Sequence, residues 1–119
     1  MAKFRKISVT VSPDSLYIFQ DYESMENPLS VLIENESGKA VSVELELTLP
    51  ESIEARFQQG KNDFKGNFKW KMDISAKSPE VIYIFFKHPK DKIGHEKLKL
   101  KAIVNGFVFQ KFIEMINVK

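Results

Sequence analysis

Cysteine is absent from the 119 residues of this chain. That excludes disulfides, thiolate catalysis and cysteine-ligated zinc, and it accords with a reducing compartment. Charge of one sign is also scarce. The 18 basic and 16 acidic residues leave a formal net charge of +2, a balance that does not mark a nucleic-acid binder. No apolar run approaches the roughly 20 residues of a membrane-spanning helix; the longest is Val81 to Phe86. The opening MAKFRKISV has basic residues with no apolar signal-peptide core behind them. No internal repeat, low-complexity tract or helical periodicity is present. These absences predict one domain over residues 1–119 with a single core, cytoplasmic and without membrane insertion.

What the chain does contain is alternation. In AVSVELELTLP, Val41, Val43, Leu45, Leu47 and Leu49 take the odd positions and Ser42, Glu44, Glu46 and Thr48 the even ones. Successive strand side chains point to opposite faces, so this is a strand with one face in a core and one in water. Ile7 to Val11 and Leu29 to Glu34 give two earlier strands, with Leu16 to Phe19 a short piece between them. Ile53 to Phe57 is a candidate for a further short strand, and Phe68 to Ser75, Val81 to Phe86, Leu98 to Ala102 and Phe107 to Val118 give the rest. Asn105-Gly106 between two apolar runs is a strong hairpin signal, because both central residues of a type I′ turn need positive φ. Gln58 to Gly66 is predicted to be a loop. Seven or eight short antiparallel strands predict an all-β, immunoglobulin-like two-sheet β-sandwich.

Val31-Leu32-Ile33-Glu34-Asn35-Glu36-Ser37-Gly38, followed by Val41 to Pro50, resembles the V-x-N-x-G … V-x-V-x-L-x-L-P pattern of CARDB-like and related immunoglobulin-like modules. Trp70, the Ser78-Pro79-Glu80 turn and Gly94 before Leu98-Lys99-Leu100 follow in the same order, so the resemblance runs from about Asn27 to Phe109. It implies a sandwich used as an adhesive, spacer or partner-binding unit. A second stretch, Ala102-Ile103-Val104-Asn105-Gly106 with Ile116-Asn117-Val118 near the end, is similar to small heat-shock proteins and implies a holdase chaperone.

Catalytic chemistry finds few residues to use. His88 and His95 bracket a loop with Asp91 and Glu96, but this is no recognised ligand spacing and convergent supporting groups are not evident. No nucleophile elbow or glycine-rich phosphate loop occurs. Neither an enzyme, a metal nor a cofactor is expected. Phe64 to Lys71 interleaves aromatics with lysines, the composition of a carbohydrate or single-strand nucleic-acid platform using Phe64 and Trp70. Strand phase puts Phe68 and Trp70 with Met72 and Ile74 on one face and Lys69 and Lys71 on the other, which favours Trp70 as a core residue. The row of Lys97, Lys99 and Lys101 is expected to face Glu44 and Glu46 across adjacent strands.

The most telling departure from a plain sandwich is Val81 to Phe86, apolar on both faces. Ile82, Ile84 and Phe86 are assigned to the core, and Val81, Tyr83 and Phe85 outward, beside Leu32 of the neighbouring strand. Phe112 and Ile116 extend this patch if a bulge near Lys111 switches the phase of the last strand. The competing reading folds Asp21 to Glu26 or Gln58 to Gly66 over it. An exposed apolar sheet face predicts a non-catalytic module that binds a protein partner or self-associates, with Leu32, Val81, Tyr83, Phe85, Phe112 and Ile116 at the interface.

Overall fold

The computed structural model describes residues 2–4, 6–19, 28–50, 53–57, 64–77, 79–87, 94–104 and 106–118; the side chains of Ala2, Lys3, Phe4, Phe19, Phe57, Phe64, Lys65 and Trp70 fall outside that description. Every regular element in it is a strand: β1 (Ala2–Phe4), β2 (Ile7–Ser12), β3 (Ser15–Phe19), β4 (Leu29–Asn35), β5 (Val41–Thr48), β6 (Glu54–Phe57), β7 (Phe64–Lys65), β8 (Asn67–Ile74), β9 (Glu80–Lys87), β10 (Gly94–Val104) and β11 (Phe107–Val118). They form a six-stranded sheet in the order β1-β2-β4-β9-β6-β7 and a five-stranded sheet in the order β3-β11-β10-β5-β8. This is the predicted immunoglobulin-like sandwich, with more strands than seven or eight. The additions are edge pieces: β1 folds back on β2, and Phe64-Lys65, predicted as loop, pairs with Glu54 and Ala55.

One pairing corrects the all-antiparallel expectation. β2 lies antiparallel to β4, then the chain passes Pro13 and β3 joins the other sheet parallel to β11. The Ser12–Pro13 peptide at this change of sheet is cis. Proline has no N–H for a ladder, so neither sheet continues through it. Lys111 secures the crossing. Its Nζ donates to the Val11 carbonyl at 3.0 Å and pairs with the Asp14 carboxylate, while the Glu114 N–H donates to the Asp14 carbonyl at 3.1 Å.

The core lies between the sheets and consists of the residues that alternation assigned to it. Val9, Leu29, Val31 and Ile33 from one sheet face Val43, Leu45, Leu47, Leu98, Leu100 and Ile113 from the other, all at zero exposure. β10 and β11 pair in one unbroken register from Gly94↔Asn117 to Val104↔Phe107. Gly106 has φ 81°, the positive value a type I′ turn requires of it. The twelve residues of β11 reach about 40 Å at roughly 3.4 Å each, which accounts for most of the 47 Å long axis.

The unbroken register leaves no bulge near Lys111, the condition on which Phe112 and Ile116 were to join the patch. Ile113, Met115 and Asn117 point inward and Phe112, Glu114 and Ile116 outward, in a single phase. The inward end is more polar than apolar counting anticipates, because Lys111 serves the sheet crossing and Asn117 is buried with its Nδ2 3.4 Å from Glu96 Oε1.

The Lys111–Asp14 pair has a pH signature. The hydrogen bond from Lys111, and then its charge, hold the Asp14 carboxyl below its ordinary value. A depressed folded-state pKa stabilises above the unfolded pKa, and that contribution disappears as pH falls through the folded one. Asp14→Asn should therefore lower the melting temperature at neutral pH. The gap to wild type should close in acid, below the ordinary carboxylate range. Thermal melts across pH check this, and a gap that persists unchanged in acid assigns the effect to something other than the ion pair.

Candidate functional site

Strand β9 is the element that matters most, because it sits between β4 and β6 in the middle of the six-stranded sheet. Its inward-pointing residues are Ile82, Ile84 and Phe86, at 6%, 0% and 1% exposure, whereas Val81 and Tyr83 are each 37% exposed. These five take the phases assigned by sequence. Leu32 stands directly across from Val81, and Ser30 across from Tyr83. Leu32, half-buried, thus adjoins the two exposed side chains on the outer face.

Phe85 shares that outward phase but is buried. The Arg56 guanidinium lies 5.4 Å from the centre of its ring, on the adjacent strand β6 where Arg56 is the register partner of Phe85. A cation over an aromatic face covers apolar surface and keeps its own charge near water. Beyond it, Lys87 and Glu54 form a 3.9 Å ion pair on the same two strands. The outward apolar surface of this sheet therefore has an open part, Leu32, Val81 and Tyr83, and a part capped by Arg56.

Phe112 and Ile116 do not extend this surface. They belong to β11, in the other sheet, and point away from the core on the opposite side of the sandwich. Of the two loops considered as covers, 21–26 and the 58–63 part of 58–66 lie outside the described residues, as do His88 and Asp91 and the side chains of Phe64 and Trp70. Position 70 pairs with Leu45 in the β5–β8 ladder. Ile116-Asn117-Val118 is not a free tail but the end of β11, paired with β3 and β10, so the geometry behind the heat-shock likeness is missing.

Among the described residues, no group of three or more His, Asp or Glu could hold a metal ion. His95 Nδ1 instead meets Glu114 Oε1 at 2.6 Å. Also among the described residues, no helix is long and apolar enough to cross a membrane, which leaves membrane-crossing by strands unaddressed.

Two features were not anticipated. Asn35, expected only as a turn residue, is 2% exposed and every polar atom of its side chain is engaged. Its Nδ2 donates toward the carbonyls of Lys39, Ile74 and Ser75 at 2.8, 2.9 and 3.3 Å, and its Oδ1 accepts from Ser37 N–H and Oγ at 3.0 and 2.6 Å. It ties the β4–β5 turn to the end of β8 across the two sheets. Beside it lies a shallow cavity of about 310 Å³ lined by Glu34, Asn35, Glu36, Lys77 and Pro79. The second feature is Tyr17, 51% exposed on β3; a five-residue strand offers too few alternations for its phase to be read with weight.

Comparison with known proteins gives a fold and nothing narrower. No protein-family model matches the chain, so the CARDB-like resemblance stands at the level of fold, and no curated protein matches it either. Among solved structures, the YadV chaperone is similar with a TM-score of 0.52 and 12% identity, over 92% of this chain and 50% of that one. The E. coli chaperone DraB matches with a TM-score of 0.48 and 6% identity, over 92% of this chain and 53% of that one. The chain thus spans about half the length of these neighbours, and at 12% identity the likeness to YadV shows the sandwich fold alone.

Proposed function

We propose that this chain is a non-catalytic protein-interaction module that docks a protein, a second copy of itself or a subunit of a larger assembly, on the outer face of its six-stranded sheet. The observation that carries the reading is the two-faced apolarity of β9, with Val81 and Tyr83 exposed beside Leu32. Exposed apolar side chains that adjoin one another in mid-sheet are costly to keep in water and favour a covering surface. An aromatic at the centre of such a patch is the usual anchor of an interface, and Tyr83 occupies that place with Phe85 capped alongside. YadV is a chaperone, and its likeness in fold favours a polypeptide over a small ligand. A cysteine-free composition favours a reducing, cytoplasmic setting.

Tyr83→Glu and Leu32→Glu are the test. Each places a carboxylate in the patch without touching a core residue. Light scattering on wild type should return a mass above the 13.8 kDa of one chain, or a complex with a captured partner, and either variant should return the monomer with an unchanged circular dichroism spectrum. A wild type that is monomeric and binds nothing through this face overturns the proposal. So do charged variants that unfold, since the patch then belongs to the fold.

A further inference from the structure

On the five-stranded sheet, Lys97, Lys99 and Lys101 alternate with buried Leu98, Leu100 and Ala102, so all three point outward in one row. The acids standing across from them do not hold them. Lys101 pairs in register with Glu46, but Glu46 forms its ion pair with Lys69 of β8 at 3.8 Å and accepts from Asn67 Nδ2 at 3.3 Å. Lys97 stands across from Glu114, whose carboxylate is engaged by His95 at 2.6 Å. Among the described residues, none of the three lysines makes an ion pair. Like charges spaced about 7 Å apart along a strand repel one another, and the neighbouring Glu46 and Glu114 offset this only at a distance, since each is in contact with another base.

The same face exposes apolar surface next to the row. Phe112, 56% exposed, is the direct neighbour of Lys99, and Tyr17, 51% exposed, neighbours Ile116. We infer that the outer face of the five-stranded sheet is a second docking surface, for an acidic polypeptide segment that also carries apolar side chains. Charge complementarity selects the acidic character through the unpaired lysines, and Phe112 and Tyr17 supply the apolar anchors that a purely electrostatic contact lacks. Aromatics and lysines on one face are also the makings of a single-strand nucleic-acid platform. A uniformly charged phosphate backbone would, however, meet Glu114 between Ile116 and Phe112 and then the Glu44 and Glu46 row. A polypeptide can set neutral residues there. This surface lies across the sandwich from Tyr83, so the two proposals stand or fall separately.

Panning the wild-type protein against a phage-displayed library of random dodecapeptides tests it. The selected peptides should be rich in Asp and Glu together with Leu, Ile, Phe or Tyr. They should bind Lys97→Glu/Lys99→Glu protein about tenfold or more weakly, and Phe112→Ser protein likewise, while Tyr83→Glu protein binds them as wild type does. Amide shifts on titrating labelled wild-type protein with the best peptide should fall at Lys97 to Lys101, Phe112 and Tyr17, a readout independent of how any variant folds. The inference is overturned if no peptide is selected, if the selected peptides lack acidic enrichment, or if the shifts fall on the other sheet. It is equally overturned if oligo(dT) or phosphatidylserine vesicles bind this face more tightly than the best peptide.

Discussion

Replacing Asn35 with leucine is expected to destabilise the protein by roughly 3 kcal/mol, although leucine is close in size and the site is buried. The reason is the company Asn35 keeps. Its amide nitrogen serves the carbonyls of Lys39, Ile74 and Ser75, and its oxygen takes two hydrogen bonds from Ser37. Leucine removes all of these and leaves groups near the Ile74 carbonyl without a donor in a place water reaches poorly. Leaving a buried donor or acceptor unpaired costs more than making its hydrogen bond gains. Aspartate separates the two halves of the argument. It keeps an acceptor for Ser37 but turns a carboxylate toward three carbonyl oxygens, so Asn35→Asp should also be destabilised and should improve as acid protonates it. Ser37→Ala, which removes a hydroxyl from the exposed side, should cost less than about 1.5 kcal/mol. Urea denaturation of the three variants checks the order. A loss below about 1 kcal/mol for Asn35→Leu would mean that the turn and β8 are held together by packing alone.

The legibility of this fold follows from how its strands are buried. β2, β4, β5 and β10 each have one face in the core and one in water, so their side chains alternate and their place could be read directly. The adjacency of β4 and β9, and of β10 and β5, followed from immunoglobulin-like order and is seen in the ladders. What was not legible depends on distance in space. β1 and β7 are too short to carry a pattern. The parallel pairing of β3 with β11 joins residues about a hundred positions apart and leaves no local mark. Phe112 and Tyr83 looked like parts of one surface because apolar excess says nothing about which sheet a strand joins. Asn35 looked like any turn asparagine, because its value lies in carbonyls contributed by β8.

Charge was misjudged for a related reason. Cross-strand register correctly placed the Lys101 row beside Glu46. A strand has two neighbours, though, and Lys69 from β8 reaches Glu46 instead. Pairing one row of acids with one row of bases ignores the competing row on the far side. Exposed pairs of this kind each contribute little, so geometry rather than energy decides which lysine is left over, and the leftover row is where the second docking surface was inferred.

Phe86→Ala should lower stability by about 3–5 kcal/mol, whereas Tyr83→Ala, three residues earlier on the same strand, should change it by less than about 1 kcal/mol. Phe86 is 1% exposed on the core side of β9, so truncation leaves a cavity that the two sheets cannot close without moving their whole ladders. Tyr83 is 37% exposed on the outer side, and truncating it returns to water a face that water already reaches. The contrast tests the orientation of β9, on which the proposed partner surface rests. It also separates two outcomes that a charged variant alone would confuse. If Tyr83→Ala is nearly neutral for stability yet weakens association, Tyr83 acts in binding. If Tyr83→Ala costs as much as Phe86→Ala, both faces of β9 are core, the strand is covered on each side by the chain itself, and no partner is needed to explain why it is apolar throughout.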